Sequence, residues 1–239
     1  MHTPHPSVIP SCSSLLMLIG GCALATPAVP GSGTARTEVR DLKDFDRVEI
    51  AIPVEIEIRK ADSFLVELTL DDNLLPLVDS TVTDGLLKVS SKENLAVKAP
   101  SKLVISAPVI SSVALAGAID GRIDELGGDN VKLSLAGSTD ISVGLQAKDC
   151  RISIAGSGKV SATGTCEQLN ISIAGSGTVH TEEVPADGVD VSVSGSGDVF
   201  VQATQKLKVS IAGSGRVRYV GEPEITQKVA GSGEVSRIE

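Results

Sequence analysis

From about residue 111 onward, apolar and polar residues alternate, and each alternating run breaks at a corner of small residues. In Cys150-Arg151-Ile152-Ser153-Ile154-Ala155-Gly156-Ser157-Gly158-Lys159-Val160-Ser161-Ala162 the alternation holds on both sides of the corner. Period two is the signature of a strand with one buried face, so each unit reads strand, corner, strand. The corners recur at Gly117, Gly137, Gly156, Gly175, Gly195, Gly213 and Gly231, at spacings of 20, 19, 19, 20, 18 and 18 residues. No helix-period run of useful length interrupts them.

A fixed period near nineteen marks a repeat architecture in which each unit covers the apolar face of the next. Stacking the units at a strand spacing of roughly 4.8 Å predicts inward ladders of like side chains. One column is Leu133, Ile152, Ile171, Val191 and Val209; another is Leu135, Ile154, Ile173, Val193 and Ile211; a third is Ile141, Val160, Val179, Val199 and Val217. The predicted fold is all-β, a single-stranded parallel β-helix with rungs of about 18–20 residues. Glycine suits its corners because a tight change of direction needs φ > 0 or close backbone approach. No helix pattern or Gly-Lys-Ser/Thr follows these turns, which argues against phosphate loops.

Outward positions also repeat. Ser134, Ser153, Ser172, Ser192 and Ser210 form one hydroxyl ladder, and Ser138, Ser157, Ser176, Ser196, Ser214 and Ser232 form another at the corner. Short side chains suit crowded ladders, and the same pattern would offer a flat hydroxyl surface to glycans. Three positions after each repeat glycine stand Asp120, Asp140, Lys159, Thr178, Asp198, Arg216 and Glu234. Opposite charges then fall one rung apart at Asp140/Lys159 and along Asp198/Arg216/Glu234, which supports register.

Upstream, Asp44–Ile50, Val54–Ile58 and Leu65–Leu70 alternate, with turn signals at Asp71-Asp72-Asn73 and Asp84-Gly85. This half reads as irregular early coils that close the apolar end of the stack. At the other end Gln227 and Arg237 occupy inward columns, and Glu234, Arg237 and Glu239 discourage end-to-end strand pairing.

The start of the chain differs in kind. Leu15-Leu16-Met17-Leu18-Ile19 is too short for a membrane span and reads as the apolar centre of an export signal. Ile19-Gly20-Gly21-Cys22 resembles a bacterial lipobox, which makes Cys22 the lipidated residue; cleavage after Ala23-Leu24-Ala25 is the alternative. The organisation expected is a signal over 1–25, a flexible tether over 26–36, and one domain over 37–239. Within it, residues 37–110 form the early coils and residues 111–239 the Gly-Ser-Gly repeats. Of the cysteines, Cys12 leaves with the signal. Cys150 aligns with Val131 and Leu169, whereas Cys166 aligns with Ala147, so a disulfide and two partly buried thiols both stay open.

The hydrophobic content is 41% but aromatic residues are only 2%, so the core must be aliphatic. A net charge of −9 with no basic block argues against nucleic acid. His180 is the one histidine outside the leader, and it follows a core valine and faces solvent. Two cysteines and one histidine lack zinc spacing, a period near nineteen excludes the nine-residue calcium roll, and no cofactor is indicated.

The opening Phe45-Asp46-Arg47-Val48 with Val54-Glu55-Ile56, the segments Asp72-Asn73-Leu74 and Asp84-Gly85-Leu86-Leu87, and the Gly-Ser-Gly run resemble the bacterial head GIN domain family. The resemblance covers about residues 36–239. It implies an exported or lipid-anchored envelope protein with a right-handed β-helical body, and supplies no site residues. The function expected is a noncatalytic cell-envelope or surface module, adhesin-like or structural, anchored in the outer membrane or periplasm by lipid on Cys22. Secretion or a soluble periplasmic form is the alternative location. A glycan or another envelope protein is the partner class, and oligomers are compatible. The alternative is a polysaccharide-cleaving enzyme, with Asp120 and Asp140 as the candidate carboxylates.

Overall fold

The computed structural model describes residues 27–238, and the leader with Cys12 and Cys22 lies outside the described residues. The chain is all-β, with a solenoid of about five turns. Its regular body is built from β10 (Ser112–Gly156), β11 (Lys159–Gly175), β12 (Thr178–Gly195), β13 (Asp198–Gly213), β14 (Arg216–Val220), β15 (Glu224–Gly231) and β16 (Glu234–Arg237). Each pairs in parallel with the next coil. Ile152 sits beside Ile171, Ile171 beside Val191, and Val191 beside Val209. The second and third predicted columns stack in the same way, and their members are buried. Alternation thus puts every second side chain into one continuous aliphatic core.

The corners explain the glycines. All seven have φ between +108° and +131°. At Gly175 a Cβ would stand 2.3 Å from the carbonyl oxygen of Gly156 in the coil before. That same carbonyl accepts the backbone N–H of Ser176 at 2.9 Å. The corner glycine therefore does two jobs: it takes a left-handed conformation, and it lets consecutive coils approach closely enough to bond.

The N-terminal region is more ordered, and less sequential, than irregular coils. It contains β1 (Val29–Pro30), β2 (Ala35–Arg40), β3 (Arg47–Ala51), β4 (Glu55–Lys60), β5 (Leu65–Asp71), β6 (Val78–Thr83), β7 (Leu86–Ser91), β8 (Leu95–Ala96) and β9 (Lys102–Ala107). β3 and β4 lie in parallel between β10 on one side and β7 and β9 on the other. The coil formed first in the chain is therefore second in space. β6 pairs antiparallel with β7, β5 with β9, and β2 with β5, so the apolar end closes under strands that run against the stack.

The segment read as a tether is docked from Val29 onward. β1 pairs with β8. Ser32 is bonded to Asp72 and Asn73, and the Gly33 N–H donates to Asp71 at 2.6 Å. Asp71 is fully buried and also accepts from the backbone N–H groups of Lys98 and Ala99. Burial pushes its carboxyl up, but the N–H donors of Lys98, Gly33 and Ala99 outweigh this and hold it below its ordinary value.

Candidate binding groove

Because side chains alternate across each strand, the polar residues of the repeat stand in outward columns at rung spacing. The paired charges fall where their spacing predicts. Lys159 Nζ lies 3.9 Å from Asp140, and Arg216 grips Asp198 with two bonds of 2.7 and 3.0 Å. Asp120 accepts the backbone N–H of Asp140 at 3.2 Å. The two candidate carboxylates are thus adjacent, on an exposed corner and engaged with register contacts.

The serine ladder is equally regular, with Ser153, Ser172, Ser192 and Ser210 in successive coils. Its first members, Ser134, Ser153 and Ser172, floor a largely apolar trough of about 440 Å³ together with Ala116, Ala136, Ala155 and Ala174. A different face carries a ladder that sequence reasoning missed. The His180 ring stacks on Phe200 at 4.6 Å between centroids and 8° between planes, and Arg218 covers Phe200 from the next rung at 5.3 Å. His180 is half-buried in this stack, with Nδ1 2.9 Å from Glu182 Oε1, rather than free in solvent. The signal was available, because His180, Phe200 and Arg218 occupy one register position in consecutive repeats.

A longer relief lies elsewhere, along two adjacent outward columns. One is Asp149, Gln168, Gly188, Lys206 and Glu224; the other is Arg151, Asn170, Asp190, Lys208 and Thr226. A hollow of about 480 Å³ around Asn130, Asp149 and Arg151 meets a larger one of about 560 Å³ around Asp187, Asp190 and Gln205, and Asn170 lines both. Four steps of roughly 4.8 Å make a groove on the order of 20 Å long. Gly188 opens its centre: the Gln168 amide lies over it, 2.2 Å from where a Cβ would be. The side-chain amides of Asn130, Gln168, Asn170 and Gln205 form no hydrogen bond among the described residues. Asp190 is bonded to Lys208 at 2.8 Å, which pushes the Lys208 ammonium up. The groove therefore offers donors and acceptors of both signs at rung spacing. Its columns were legible by the same alignment that gave the serines.

Known structures share this architecture. A putative adhesin from Bacteroides fragilis NCTC 9343 superposes with a TM-score of 0.82 at 21% identity, over 88% of this chain and 100% of that one. A putative adhesin from Parabacteroides merdae ATCC 43184 gives 0.68 at 22% identity, over 89% and 99%. A putative lipid binding protein from Parabacteroides distasonis ATCC 8503 gives 0.67 at 20% identity, over 89% and 100%. At such identities the likeness is one of fold. No curated protein matches the sequence. A family model does match it, over residues 44–223, and the chain belongs to the family described as putative auto-transporter adhesin, head GIN domain.

Proposed function

We propose that the chain is a noncatalytic binding module of the bacterial cell envelope, exported and held at a membrane by lipid on Cys22, with the long polar groove as its binding face. The observation that carries this reading is the groove itself. Side-chain amides recur beside charges of both signs along about 20 Å, a geometry suited to an extended chain of hydroxyl-bearing units. A glycan strand is the ligand class that fits.

The adhesin family points to a surface or exported protein and supports binding rather than turnover. Asp120 and Asp140 support the noncatalytic reading too, because both carboxylates serve register contacts on an open corner. The lipid binding name of the Parabacteroides distasonis protein suggests phospholipid vesicles as a comparison ligand for the test.

The test is a glycan array probed with the full chain and with Asn170→Ala and Asp190→Ala. Binding to an extended polysaccharide is expected to weaken roughly tenfold in each variant, the worth of a hydrogen bond to a charged or well-placed partner. Undiminished binding would remove the groove from the reading. Cleavage of the bound polysaccharide that disappears in Asp140→Asn would overturn the noncatalytic assignment. A metabolic lipid probe is expected to label the chain and to lose Cys22→Ser; equal labelling of the variant would reject the anchor.

A further inference from the structure

Cys150 and Cys166 stand apart from the aliphatic pattern around them. Cys150 lies in the last part of β10 and pairs in register with Leu169; Cys166 lies in β11 and pairs with Ala147. The two belong to consecutive coils, offset by three residues from direct opposition. Alignment alone would keep them apart. Both side chains nevertheless point into the same core, where the two thiols are buried and free, and Cys166 Sγ reaches back to the carbonyl of Lys148, two residues before Cys150 in the adjacent coil. Cys166 Sγ also donates to the Gln168 carbonyl at 2.9 Å and lies 3.6 Å from that of Lys148.

We propose that Cys150 and Cys166 are a disulfide site, a covalent staple between two mid-stack coils that closes when the protein folds in an oxidising compartment. The link would span 16 residues of sequence, just under one repeat, and so tie one coil to the next across the core. It would also lie directly beneath the groove, because Cys150 lines the hollow around Asn130 and Arg151. In a stack whose units touch only their neighbours, unwinding can spread from either end. A tie in the middle stops it.

The two sulfurs are not equivalent. The neighbouring Cys166 thiol and burial push the Cys150 thiol up. The neighbouring Cys150 thiol, with help from the backbone of Cys150 and Gln168, holds the Cys166 thiol below its ordinary value. Cys166 is also the more accessible of the two, 6% exposed against 1%. It is therefore the entry sulfur. The co-reactant is a disulfide, supplied by a thiol–disulfide oxidoreductase in the cell or by glutathione disulfide in the tube. The Cys166 thiolate attacks one sulfur of that disulfide and expels the other as a thiolate. Cys150 then gives up its proton, its sulfur attacks Cys166 Sγ, and the second thiolate leaves. One S–S bond has formed and one has broken; two electrons have passed to the oxidant, whose two thiolates take up the two protons.

The test uses the full chain exported in a bacterial host, denatured in iodoacetamide with and without reductant, and read as tryptic peptides by mass spectrometry. Without reductant the peptides bearing Cys150 and Cys166 are expected to be joined to each other and unlabelled; with reductant both carry the label. Label on both cysteines without reductant would overturn the proposal, as would either one joined to a different cysteine. Urea unfolding gives an independent reading. Reduction is expected to shift the folding equilibrium of the wild type roughly a hundredfold, the scale for a loop of this size, and to leave Cys150→Ala and Cys166→Ser unaffected. Equal stability of oxidised and reduced wild type would reject the staple.

Discussion

The body and the N-terminal cap stack coils by opposite logic. In the body, neighbours in sequence are neighbours in space, and each coil repeats the inward residues of the last. In the cap, β3 and β4 are sandwiched between strands that come later in the chain, and the outermost strands run antiparallel. The difference follows from what each must do. A repeating unit needs only to be complementary to a copy of itself. An end must stop the repetition, and reversing strand direction presents an edge that no further parallel coil matches. Towards the far end the columns change in composition instead: Gln227 follows Val209 in its column, and Arg237 follows Tyr219 and pairs with Glu222 at 3.1 Å.

If close coil contact is what makes a corner glycine indispensable, the same substitution should cost differently by position. Gly175→Ala places a Cβ on the Gly156 carbonyl and holds it at φ +131°. It should lose roughly 3 kcal/mol or more, or abolish cooperative unfolding, in a urea titration followed by circular dichroism. Gly117 has nearly the same φ, +122°, but no atom within 4 Å of the Cβ position, because no corner of the same kind underlies it. Gly117→Ala should lose only about 1 kcal/mol, the conformational cost alone. Equal losses at the two sites would dissolve the distinction between body and edge.

The cap rests on one buried charge, Asp71, that has no counterpart in the body among the described residues. Folding lowers the Asp71 pKa below an unfolded value of about 3.9, so folding favours the carboxylate. Its contribution is complete above that unfolded value and is lost as pH falls through the lower folded one. Hydrogen exchange should therefore show the amides of Gly33, Lys98 and Ala99 losing protection on acidification below about pH 4, while corner amides such as Ser176 keep theirs. Asp71→Asn should expose the same three amides at neutral pH. Simultaneous loss in cap and body would mean that the two regions open as one unit.

The same contrast decides what could be read from sequence. The body was legible almost residue by residue, because a register error would misalign every column at once. Ile152, Ile171 and Val191 are neighbours for that reason, and so are Asp198 and Arg216. The cap gave up its strands, through the alternation at Arg47–Ala51 and Leu65–Asp71, but not their order. Antiparallel pairing and a coil out of chain order leave no period to detect. The docking of residues 29–34 was hidden because Pro, Gly and Ser compose tethers and docked turns alike; what pins them is a distant carboxylate. The groove lay within reach, since Gln168 and Asn170 belong to columns as regular as the serines. Mixed polar columns, however, lack the visible sameness of a ladder of Ser or Ile.

The smallest expected effect tests whether the outer ladders hold the body together. Asp198 and Arg216 have the best geometry of any exposed pair in the repeats, and Glu234 continues their column. The pair also raises the Arg216 pKa, first through its hydrogen bonds and then through charge. Yet the side chains are 30% and 52% exposed, where solvent and salt screen most of the attraction and ordering two long side chains offsets much of the rest. Asp198→Ala should shift the urea midpoint at the edge of detection, and the shift should vanish above about 0.5 M salt. Stacking in the body would then rest on its aliphatic columns and corner bonds, with ion pairs only trimming the register. A loss as large as that of Asp71→Asn, persisting in salt, would mean that the body too depends on a charge, and the difference between its logic and that of the cap would be one of degree.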